Sequence, residues 1–137
     1  MKIEFLVFVK KKMIIQRTTL DSILLNNVCE IRFSRRRPVA GKSATRRMWC
    51  TKSYSLLNSI NGRISLNYKP PSGPKKVNEA QDNIIVVWDI LMQDYRTVSA
   101  DQCDLLQQIP ADDSFWEYFN NNIYPMSAKQ KINFMNQ

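Results

Sequence analysis

Four β-branched residues in succession, Ile84-Ile85-Val86-Val87, closed by Trp88, form the chain's one sustained run of this kind. A strand that is apolar on both faces must be covered from both sides, so the run predicts a central buried strand. Within the same stretch, residues 83–101, a short polar break precedes a second strand-like piece, Tyr95-Arg96-Thr97-Val98. The two read as a β-hairpin, and the rest of the fold has to be built around it. At 137 residues the chain is one domain by size, long enough to bury about two-thirds of its unfolded surface.

Charge divides unevenly about this hairpin. Residues 1–76 carry 17 Lys/Arg and 3 Asp/Glu, a net +14, whereas residues 77–137 carry 3 and 9, a net −6. A basic half beside an acidic half points to a face for polyanions or for an acidic protein. The three cysteines (Cys29, Cys50, Cys103) lack the short spacings of a zinc site, and the chain has no histidine. No metal or other cofactor is expected. Widely spaced cysteines in odd number fit a reducing compartment, where they serve as small core residues. Without histidine the commonest general base at neutral pH is missing, and a non-enzymatic protein is expected.

The start of the chain, MKIEFLVFV, is apolar for too few residues to span a bilayer, which needs about 20. Its basic residues, Lys10 to Lys12, follow the apolar run, the reverse of a signal peptide. Residues 1–12 are expected as an extension or edge strand, with Met13 as an alternative start. No membrane partner is expected.

From there the pattern alternates between elements. Residues 18–25 predict a short helix capped by Thr18 or Thr19, with Leu20, Ile23 and Leu24 on one face and Asn26-Asn27 ending it. VCEIRFSRRR, residues 28–37, predicts a half-buried strand with Cys29, Ile31 and Phe33 inward. A loop through residues 38–45 leads to a second strand opening on Arg46-Arg47-Met48-Trp49. Asn61-Gly62 marks a tight turn, and KPPSGPKK, residues 69–76, a loop. Ser99 and Gln102 have capping-box spacing, which predicts a helix over residues 101–108 burying Cys103, Leu105 and Leu106. Two further helices follow. One is capped by Asp112-Asp113-Ser114 and carries Phe115, Trp116, Tyr118 and Phe119. The other is opened by a capping box at Ser127 and Gln130 and carries Ile132, Phe134 and Met135.

The strongest functional signal is the turn between the first two strands. Arg35, Arg36, Arg37, Lys42, Arg46 and Arg47 crowd around it, and Trp49 offers a ring on which a base could stack. Gly41-Lys42-Ser43 resembles the end of a phosphate-binding P-loop, but Arg36 stands where that motif requires glycine. Asp89, Asp94 and Asp101 have no spacing that demands a common metal.

Residues 28–109 resemble a phage-encoded WYL-like family of small proteins. The resemblance lies in VCEIRFSRRR, then RRMWCT, then VVWDILMQDYRTVSADQCDLL, in that order. Tyr95 stands where tryptophan is usual, and Val98 where an aromatic residue is found. The resemblance implies a barrel similar to Sm and SH3 folds. By analogy with larger WYL domains it implies a ligand surface formed by Trp88, Tyr95 and Arg96.

The expected architecture is therefore α+β: a small bent barrel of about five strands over residues 13–110, opened by a short helix and followed by a C-terminal helical extension, residues 111–137. The expected function is that of a viral accessory protein in the host cytoplasm, binding nucleic acid through the basic hairpin. Two alternatives stay open. One is a module docking on an acidic host or viral protein, and the other is a virion component that forms homo-oligomers.

Overall fold

The computed structural model describes residues 16–35, 37, 39–70 and 79–137. The expectations for residues 1–12 and Met13, for Arg36 and Pro38, and for most of the loop 69–76 lie outside the described residues.

Helix α1, Arg17–Asn26, opens the fold. Thr18 and Thr19 lie inside it; Gln16 is the capping position and makes no side-chain cap. Asn27, expected to end the helix in a left-handed conformation, is extended (φ −141°) because the chain runs straight into β1. Its side-chain amide closes the helix by donating to the Ile23 carbonyl at 2.9 Å. Strands β1, Asn27–Ser34, and β2, Thr45–Thr51, then form the expected antiparallel hairpin. A four-residue helix, α2 (Tyr54–Leu57), and a small ribbon of β3 (Ile60–Asn61) and β4 (Ile64–Ser65) follow. Gly62 turns that ribbon at φ 63°, a conformation that glycine adopts without a Cβ penalty. Helix α3 (Glu79–Asp82) leads into β5 (Ile84–Asp89), which pairs along its whole length with β6 (Asp94–Ser99).

The main sheet has five strands in the order β6-β5-β2-β1-β7, every pair antiparallel. The β-branched run is an interior strand, next to the edge strand β6 and not at the centre; β2 holds the central place. The sheet cannot be flat. Its opposite edges, β6 and β7, are joined only by a 3-10 turn, Ala100–Gln102. In a flat sheet they would lie about 19 Å apart, four strand spacings. The four Cα steps from Ser99 to Cys103 span at most ~14 Å. The sheet must therefore curl. Its shortest ladder is where β2 meets β5, with only two residue pairs, Cys50 with Asp89 and Thr51 with Trp88. No ladder joins β6 to β7 among the described residues.

Residues 103–110 are strand β7, not the predicted helix. The capping residues start only the 3-10 turn, after which β1's open edge offers backbone groups that need partners and β7 supplies them. Leu106, expected in the core, is exposed at a bulge opposite Glu30 and Ile31. The bulge reverses the phase of the strand: Cys103 and Leu105 sit opposite Phe33 and Ile31, whereas Ile109 sits opposite Val28 on the other face.

Two cores result. Inside the curl, Leu20 and Leu24 of α1 pack on Cys29, Ile31, Met48, Cys50, Ile85 and Val87. The outer face of β1 and β2 is covered by the C-terminal arm, made of α4 (Asp113–Tyr118), a π-helical turn (Phe119–Ile123) and α5 (Ala128–Met135). Asp112 caps α4, and Ser127 with Gln130 forms the expected capping box on α5. Because this arm covers β1, the strand is not half-buried as its alternation suggests: Glu30 is 5% exposed.

All three cysteines are buried in the inner core, and no disulfide joins them. Burial, with the nearby Cys103 thiol adding to it, pushes the Cys29 thiol up to about 12, and burial likewise raises Cys50. Almost no thiolate forms at neutral pH, and the thiolate is the reactive species. We expect a thiol reagent at pH 8 to titrate no cysteine in the native protein and all three after unfolding. Fast reaction of the native protein would place a thiol at the surface and contradict this core.

Candidate anion-binding cleft

The hairpin loop begins at Arg35, whose backbone N–H donates to Ala44. Its side chain is held by neutral acceptors: Nε donates to the Ser43 carbonyl at 2.9 Å, and Nη2 to Oδ1 of Asn136 at 3.1 Å. Gly41 turns the loop at φ 78°, and Lys42 projects from it, exposed. Arg37 is exposed as well, and Arg36 lies outside the described residues.

Arg46 and Arg47 are adjacent in β2, so they point to opposite faces. Arg47 turns outward beneath α5. It forms an ion pair with Glu30 (2.8 and 2.6 Å to Oε2), donates to Gln137 Oε1 and lies 4.6 Å over the Phe134 ring. Arg46 turns toward β5 and is only 8% exposed, in an ion pair with Asp89. Asp89 is 1% exposed, and its other oxygen accepts the backbone N–H groups of Leu91 (3.0 Å) and Met92 (3.1 Å). One carboxylate thus neutralises a buried arginine and shapes the β5–β6 turn, in which Gln93 takes a left-handed φ of 55°. Burial pushes the Asp89 carboxyl above the ordinary carboxylate range, opposed by the Arg46 charge. Burial also lowers Arg46, with Arg96 and Arg35 adding repulsion against the pull of Asp89.

That repulsion reflects the site's main feature. Arg35, Lys42, Arg46 and Arg96 line one cleft of about 240 Å³. Its opposite wall is α5, through Ile132, Met135 and Asn136, and Met92 of the β5–β6 turn borders it. Arg96 reaches the cleft from β6, where Nη1 donates to Asp94 at 3.2 Å and to the Tyr95 carbonyl at 2.7 Å. Residues drawn from both sequence-derived sets, the basic hairpin and the Trp88-Tyr95-Arg96 surface, therefore meet.

Other residues of those sets do not join them. Trp49 presents no free face for a base: it is 4% exposed and stacks on Phe134 with ring centroids 3.9 Å apart and planes 7° apart. Its alternation in β2 turns it to the outer face, where the aromatic helical arm covers it. Trp88 is buried, donates to the Leu66 carbonyl at 3.3 Å, and meets Tyr95 and Tyr68 edge-on. Tyr95 is half-buried, with its hydroxyl donating to the Lys69 carbonyl at 2.9 Å. Burial raises its phenol well above the usual value, and Tyr68 adds to this. These two rings form a wall between the sheet and the segment 66–70.

Sequence reasoning missed Asp89 as the partner of Arg46 and missed α5 as a wall of the cleft. An acid placed directly after a buried strand was a usable signal, since a carboxylate there needs a cation or amide donors. Nothing local in residues 128–136 announces the cleft. Among the described residues no cluster of His, Cys, Asp and Glu could hold a metal, and no helix is long and apolar enough to cross a membrane. No protein family, curated protein or solved structure matches the chain.

Proposed function

We propose that this is a non-enzymatic accessory protein that binds nucleic acid through the basic cleft and the loop above it, and that it acts in the host cytoplasm as a phage-encoded regulator. The observation that carries the reading is the convergence of Arg35, Lys42, Arg46 and Arg96 on one small cleft. Like charges held this close are costly unless an anion is bound, and phosphate is an anion that arginine forks bind in bidentate fashion. The sequence motifs over residues 28–109 support the kinship with WYL-like proteins. The curl of the sheet, the helix before it and the three-residue link from β6 to β7 support the Sm- or SH3-like barrel.

The test is a binding titration over a range of salt. Log affinity for an oligonucleotide falls linearly with log salt, and Lys42→Gln and Arg37→Gln each reduce the slope by about 0.7 to 0.9. Failure to retain any single- or double-stranded DNA or RNA at ~50 mM salt would sink the reading.

An acidic protein surface is the second reading, and the cleft's rim favours it: Met92 is 45% exposed and Ile132 55%. Apolar residues bordering charge are what a protein partner would cover. Partners that survive nuclease treatment and are lost in Lys42→Gln would select this alternative.

A further inference from the structure

We infer that the cleft takes the terminal phosphate of a strand, a phosphomonoester, in preference to the phosphodiesters within it. This rests on the nucleic-acid reading above and names the group that enters.

Charge count comes first. Four cations line the cleft, and two carboxylates act on them: Asp89 on Arg46 and Asp94 on Arg96. Arg35 is bonded to a carbonyl and an amide, both neutral, and Lys42 makes no ion pair among the described residues. Two positive charges are thus left without a counter-charge. A phosphodiester carries one negative charge, whereas a phosphomonoester carries about −1.5 to −2 at pH 7 and three acceptor oxygens.

Size and walls point the same way. At about 240 Å³ the cleft lies below the ~300 Å³ at which drug-sized ligand sites begin. It has room for a phosphate and part of its sugar. A strand passing through would have to seat the neighbouring nucleotides too, and α5 stands along one side with Ile132, Met135 and Asn136. An end can enter where a chain cannot lie.

The chain's lack of histidine supplies a clean readout. The charged groups lining the cleft are Arg35, Lys42, Arg46 and Arg96, with Asp89 paired to Arg46 and Asp94 to Arg96. A change with pH that touches both phosphorylated and unphosphorylated strands alike cancels in the ratio of their affinities, and the chain has no histidine, the side chain that ordinarily titrates between about pH 5 and 8. The terminal phosphate's own second ionisation, with a pKa of about 6, does not cancel.

The experiment measures anisotropy of one oligonucleotide sequence with a 5′-phosphate, a 3′-phosphate or hydroxyl ends, using the full chain at pH 7.5 and 5.5. A phosphoserine peptide of equal charge is titrated in parallel. We expect a phosphorylated end to bind about tenfold tighter than hydroxyl ends at pH 7.5, with the ratio shrinking at pH 5.5. Lys42→Gln, a change at an exposed position, should reduce the ratio while leaving the melting temperature unchanged. Equal affinity for phosphorylated and hydroxyl ends overturns this inference and leaves nucleic-acid binding intact. No affinity for any strand overturns both. Binding of the phosphopeptide alone shows that the phosphate comes from a protein, and overturns the strand end as its source.

Discussion

Asp89→Asn is expected to destabilise the protein by about 3–5 kcal/mol, the cost of leaving a buried charge without its partner. The substitution keeps an oxygen for the Leu91 and Met92 amides but turns an NH2 group toward the Arg46 guanidinium, donor against donor. Arg46 has little access to water, being 8% exposed, under Met135 and beside Phe33. Against a total of roughly 5–15 kcal/mol for a domain, this is most of the margin. Denaturant unfolding followed by tryptophan fluorescence reads it directly. The double variant Arg46→Met/Asp89→Leu should recover most of the loss, because removing both charges also removes the cost of dehydrating them. A loss below ~1 kcal/mol in Asp89→Asn would mean that the pair is solvated and the buried hub is wrong.

Phe134→Ala is the second large effect. The ring is sandwiched between the Trp49 indole and the Arg47 guanidinium, and truncating such a residue costs roughly 3–5 kcal/mol. Helix α5 has eight residues, far fewer than an isolated helix needs to persist in water, so its order depends on this anchor. The loss should therefore fall on α5 itself. Hydrogen exchange of the amides at Lys131 and Met135 should rise toward unprotected rates, while those of β1 and β2 stay slow. Phe134→Leu should restore much of the protection. Unchanged exchange in Phe134→Ala would show that the C-terminal hydrogen bonds to Ser43 and Arg35 hold the helix by themselves.

These two residues also show how far the sequence could be read. The strands with clear alternation or β-branched runs, β1, β2, β5 and β6, were legible, as were the caps at Asp112 and Ser127, because period and capping chemistry are local. Residues 103–110 were not. Their local pattern suits a short helix, and only the open edge of β1, some 75 residues earlier in the chain, makes them a strand. Of the site, the cations themselves were legible as a cluster around a turn. Their sorting was not: Arg46 and Arg47 are neighbours in sequence, yet one lines the cleft beside Asp89 and the other lies beneath α5 with Glu30. Side-chain alternation predicts that they separate, but not which acid each will meet, since both acids lie in other strands.

The β1–β7 pairing has a consequence for synthesis. A ribosome releases the basic hairpin first, and Arg46 must wait 43 residues for Asp89. The outer edge of β1 stays open longer still, until Cys103–Pro110 emerges. Closing so long a loop is entropically slow, which places this fold with the non-local topologies that form in milliseconds to seconds. Through that interval the nascent chain is a strongly cationic hairpin that has Glu30 but not yet Asp89. It is then at its most adhesive toward the RNA around it, and the acidic second half arrives as its counter-ion.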